Sequence, residues 1–220
     1  MLATLRVLAF VAVLLAANVA ARATTHTIVL DISPSVPLIS DQAQADSASR
    51  YTQRALKNLK LGDVVSIRAL GDYGLNRNWG LTVTVSRRNK PHNVAKAFAR
   101  LVAAVPQLVS SQKVRLNSTT NILAFLEDNA SRFGCGSGGG RVLVFSDAVE
   151  NSELVKARTL VSGKAKPKQI IPGLEGCSFV FLGIGHVKKG GSVRVTRRLK
   201  KFWSTFFKIN GAQFQAVPQF

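Results

Sequence analysis

Hydrophobic positions along the chain switch repeatedly between short continuous runs and a helical rhythm. Thr25 to Leu30 is a β-branched and apolar run ending at Asp31, the signature of a buried strand. Ala48, Thr52, Ala55, Leu56 and Leu59 then fall on one side of a helix over 43–59. Strands are expected at Asp63–Leu70 and at Leu81–Val85, with a Gly71-Asp72-Tyr73-Gly74 turn between them. A helix through Val94, Phe98, Leu101 and Val105 is expected to stop at Pro106, and another to span Thr120–Phe133.

Arg141–Phe145 reads as a strongly apolar strand ending at Ser146-Asp147, and Ser178–Ile184 as a fifth strand. Val195, Leu199, Phe202, Trp203 and Phe206 trace the apolar face of a last helix, followed by a strand at Ala212–Val217. Strands alternating with helices over one domain's length imply an α/β fold: three Rossmann-like layers, with a mainly parallel sheet covered on both faces. Gly134–Gly140 precedes a strand, whereas a phosphate-binding loop must follow one, so it reads as a flexible connection.

The first 23 residues read as a signal peptide. Arg6 supplies a positive start, Val7–Ala17 an apolar stretch and Ala21-Arg22-Ala23 a cleavage pattern. The uncharged run is shorter than the twenty or so residues a membrane-spanning helix needs. The expectation is therefore a secreted or periplasmic domain over 24–220, with no transmembrane segment after cleavage. Export makes Cys135 and Cys177 a candidate disulfide, both placed at the amino ends of strands.

Charge changes the picture again. The 220 residues carry 30 Lys and Arg against 11 Asp and Glu, a formal net charge of +19. Such an excess attracts polyanions, whether nucleic acid, anionic lipid, cell-wall polymer or acidic protein. Candidate contacts are Arg87, Arg88 and Lys90, then Lys188 and Lys189, then Arg194, Arg197, Arg198 and Lys201, with a further cluster over Lys164–Lys168. The aromatics beside the last helix are spaced for core packing rather than for stacking on bases.

Oxygen-bearing side chains recur where open α/β sheets bind ligands, beyond the carboxyl ends of strands. Asp31, Ser33 and Ser35 follow the first strand, Thr120 opens a helix, and Asp147 ends the fourth strand. Hydroxyls with few carboxylates suit a hard cation such as Mg²⁺, with Mn²⁺ or Ca²⁺ as alternatives. Taken singly, Asp-x-Ser-x-Ser is also an ordinary helix-capping arrangement.

In their order and context these residues resemble the von Willebrand factor A domain and its metal-ion-dependent adhesion site. The resemblance spans about residues 26 to 217. It implies that Ser33, Ser35 and Thr120 ligate the ion directly, that Asp31 and Asp147 act largely through water, and that one position stays open for a partner's carboxylate. The family often has Gly where Thr119 stands, so Thr119 competes with Thr120, and Ala148 follows Asp147 where Gly is frequent.

The expected function is metal-dependent protein binding to an acidic partner in the cell envelope. The alternative is a polyanion-binding protein whose metal is structural or absent. An enzyme ranks last, because the candidate loops offer no convergent His or Glu as general base.

Overall fold

The computed structural model describes residues 23–70, 79–186 and 192–219. Six strands form one sheet in the order β3-β2-β1-β4-β5-β6. They are β1 (Thr25–Asp31), β2 (Val64–Leu70), β3 (Gly80–Thr84), β4 (Arg141–Phe145), β5 (Ser178–Leu182) and β6 (Gln213–Val217). All neighbours are parallel except β2 and β3, so the fold is α/β with a mainly parallel sheet.

Strand alternation divides the core into two layers. Ile28, Leu30, Val65, Ile67, Phe145 and Leu182 face α1 (Gln42–Ala55) and α2 (Pro91–Ala103). Val29, Val142, Val144, Phe179 and Phe181 face the opposite side. There they meet α4 (Ile122–Asn129) and α6 (Val193–Ile209), which follow the short α3 (Val105–Ser110) and α5 (Ala157–Ser162) in chain order. Leu199, Phe202, Trp203, Phe206 and Phe207 of α6 are buried, and Phe179 stacks on Phe207 with ring centroids 4.4 Å apart. These aromatics are core, as their spacing implied.

Three local expectations need correction. Pro106 does not end the helical stretch: it sits in the first turn of α3, where its missing N–H costs nothing. The helix expected over 120–133 runs only through α4 and gives way to a 3-10 turn at Ala130–Arg132. The Gly-rich connection contains a helical turn, Cys135–Gly138, tied down by a disulfide from Cys135 to Cys177. Gly140 is confined there as well, since a Cβ would lie 2.0 Å from the Phe133 carbonyl oxygen. The Gly71–Gly74 turn lies outside the described residues.

The bridge joins the amino-end approaches of adjacent strands β4 and β5, at the sheet edge opposite the loops that carry Asp31 and Asp147. Among the described residues no helix is long and apolar enough to cross a membrane. The disulfide is compatible with a secreted protein.

Candidate metal site

The chain runs outward from β1 through β2 to β3, then returns to place β4 on the other side of β1. This reversal opens a crevice beyond the carboxyl ends of β1 and β4, the place where open α/β sheets hold ligands. Asp31 is the last residue of β1, and Asp147 lies two residues past the end of β4.

The β1 loop is built on its own carboxylate. Asp31 Oδ1 accepts the Ser33 N–H at 3.0 Å, turning the chain so that the Ser33 and Ser35 hydroxyls stand 3.1 Å apart. Asp31 Oδ2 accepts the Ser146 hydroxyl at 2.6 Å, and the Ser146 oxygen accepts the Ala148 N–H at 2.9 Å. Ser146 thus couples the β1 and β4 loops. Asp147 Oδ1 accepts the Val149 N–H at 2.9 Å, and its carboxylate also accepts from Ser35. Ala148 takes a left-handed backbone (φ 63°) behind the site, where its carbonyl accepts the Trp203 indole N–H.

The third loop is pinned from both sides. Asn117 is buried; its backbone N–H donates to Ile32 O and its side-chain amide to Leu70 O, attaching the loop to the ends of β1 and β2. That burial also rules out a glycan on the Asn117-Ser118-Thr119 sequon. Thr120 is buried and its carbonyl accepts the Asn151 N–H at 2.8 Å. Asn121 caps α4 through the Ala124 N–H, and Glu150 Oε2 accepts from Ile122 N and Leu123 N.

Ser33, Ser35, Thr120 and Asp147 therefore line a single cavity of about 590 Å³, together with Ser118 and Thr119. Asp31 lies behind it, fully buried, touching the cavity through Ser33. Both threonines reach the lining, and Thr120 is the more enclosed of the two. Val149, Ala157, Val161 and Val195 form an apolar wall.

The site's electrostatics are set by its two carboxylates. Burial pushes the Asp31 carboxyl up to about 7, and the nearby Asp147 adds to that rise. Burial raises Asp147 too, against the hydrogen bonds from Ser35 and Val149. Among the described residues no basic side chain offsets either shift. A buried pair of carboxylates without a countercharge is costly, and a divalent ion is one remedy. Among the described residues no three His, Cys, Asp or Glu side chains gather in one place. An ion here would consequently depend on hydroxyls, a donor set suited to Mg²⁺. Ser33, Ser35, Thr120, Asp31 and Asp147 fit that demand.

Sequence reasoning missed Ser146, Glu150 and Asn117 as positioning residues. Ser146 was visible as a polar residue directly after an apolar strand; nothing local marks the other two.

Two of the basic clusters lie at opposite edges of the sheet. The edge strand β3 runs antiparallel to β2, so Arg87, Arg88 and Lys90 are exposed at the amino edge of the sheet, away from the site. Arg194, Arg197 and Lys201 are exposed on α6, whose amino end reaches the carboxyl edge. Arg198 is a brace instead: its guanidinium donates to Val161 O at 3.0 Å and packs over Gly163. Lys188 and Lys189 lie outside the described residues.

Compared with protein-family models and with curated proteins, the sequence matches neither.

Proposed function

We propose that the chain is an exported domain of von Willebrand factor A type that binds a divalent cation, Mg²⁺ in the first instance, and docks an acidic group of a partner protein onto it. The observation that carries this reading is the meeting of Ser33, Ser35, Thr120 and Asp147 in one cavity, with Asp31 behind them. Export rests on the amino-terminal segment and is supported by the disulfide.

The ion would supply positive charge in a low-dielectric recess, where an incoming carboxylate gains far more than in open water. Ser33, Ser35 and Thr120 would hold it through hydroxyl oxygens. Asp31 and Asp147 would offset the cost of its desolvation, and a coordination position left open on the ion would receive the partner's carboxylate. The separation of the basic clusters onto opposite edges counts against a continuous polyanion track among the described residues.

The test is Mn²⁺ or Mg²⁺ titration of the purified chain and its Asp147→Ala variant, followed by pull-down from an envelope fraction with and without EDTA. The reading expects saturable cation binding that Asp147→Ala abolishes with the fold intact, and EDTA-sensitive capture. Capture that resists EDTA but fails at moderate salt would overturn it in favour of simple polyanion attraction.

A further inference from the structure

A second cavity, of about 520 Å³, opens on the same sheet edge, beyond the ends of β5 and β6. Gly185 lines both cavities, and the first turn of α6 divides them. Ser192 and Val195 face the metal cavity, whereas Val193, Thr196, Arg197 and Lys200 face the second, as helical periodicity dictates. The partition is thin because Gly185 has φ +75° and sits so close to Thr196 that a Cβ would lie 2.2 Å from its hydroxyl. Gly185 N also donates to Asp147 O, which ties this partition to the metal loop.

The two cavities differ in charge. The metal cavity carries carboxylate and hydroxyls, while among the described residues the second is lined by Arg197 and Lys200 and by no acidic side chain. Among the described residues no carboxylate pairs with either cation. Two cations lining a recess beside an apolar surface, Val193 being 76% exposed, form a place for a second anionic group and its aliphatic stem.

Resting on the metal-docking reading above, we propose that the partner presents an extended segment with two carboxylates, one for the ion and one for Arg197 and Lys200. The spacing follows from the sheet. The metal cavity lies over β1 and β4 and the second over β5 and β6, two strand spacings away, about 10 Å. Extended chain rises about 3.3 Å per residue and only alternate side chains share a face, so the two acids should be about two or four residues apart.

The experiment uses fluorescence anisotropy on the full chain in Mg²⁺ at low salt. The probes are an unstructured peptide with one Asp and the same peptide with a Glu added two or four residues to either side. The added acid should tighten binding about fivefold on one side, the size of a partly exposed ion pair. R197A/K200A should return the two-acid peptide to the affinity of the one-acid peptide. Asp147→Ala or EDTA should abolish binding of both.

Equal, EDTA-sensitive binding of all peptides overturns the second subsite and leaves the metal reading standing. A gain that survives R197A/K200A does the same. Binding that ignores EDTA, or no binding in Mg²⁺, overturns both.

Discussion

Glu150 offers a direct measurement of how the third loop of the site is held. The residue is fully buried, and its Oε2 accepts the Ile122 and Leu123 N–H groups. Burial pushes its carboxyl up to about 7 from 4.5, against the hydrogen bonds from Ser152 and the two amides. Below pH 4.5 the group is protonated in both folded and unfolded chains, and its contribution to stability is fully present. As pH rises toward 7 the unfolded chain loses the proton while the folded chain retains it, and stability falls. Above 7 both forms are ionised and the loss levels off.

A displacement of that size corresponds to about 3 kcal/mol, or roughly 6–12 °C in Tm for a chain of this length. Glu150→Gln keeps the shape and an acceptor but cannot titrate. Any constant offset from the new amide is the same at every pH, so the difference between the two proteins isolates Glu150. Urea unfolding of both in EDTA, from pH 4 to 8.5, should show the wild type losing about 3 kcal/mol relative to E150Q across the interval. A flat difference curve would refute the account of Glu150 as a buried, reluctant carboxylate beneath the loop.

Two further outcomes follow from the same hydrogen bonds and bridges. Ser146→Ala removes the hydroxyl that Asp31 Oδ2 accepts and orphans the Ala148 N–H. Stability should drop by about 1.5–3 kcal/mol and Mn²⁺ affinity at least tenfold, measured by thermal melts and cation titration. Replacing Cys135 and Cys177 with Ser should cost about 3–4 kcal/mol in urea unfolding without changing Mn²⁺ affinity, because the bridge lies at the opposite sheet edge. A matching loss of affinity would show that the two edges are coupled.

The elements and their class were legible in the sequence because burial imposes a period. Val142, Val144, Phe179 and Phe181 had to be apolar to sit between helices, and Leu199 to Phe207 carried the rhythm of a buried helical stripe. The errors fell where local signals are ambiguous, as at Pro106, which is equally at home ending one helix or beginning the next. Asp31, Ser33 and Ser35 could be proposed together because five consecutive residues make that loop. Cys135 and Cys177 could be paired because each precedes a strand.

Only tertiary structure decided the rest. Ser146 reaches Asp31 across 115 residues, and Glu150 reaches the start of α4 across 28, contacts that no periodicity encodes. Strand order set the charge distribution in the same way. The reversal of β3 carried Arg87, Arg88 and Lys90 to the amino edge, while β5 and α6 brought Arg197 and Lys200 beside the cavity that Asp147 lines. Composition determines how much charge the chain bears, but the direction of each strand determines which charges can face the same ligand.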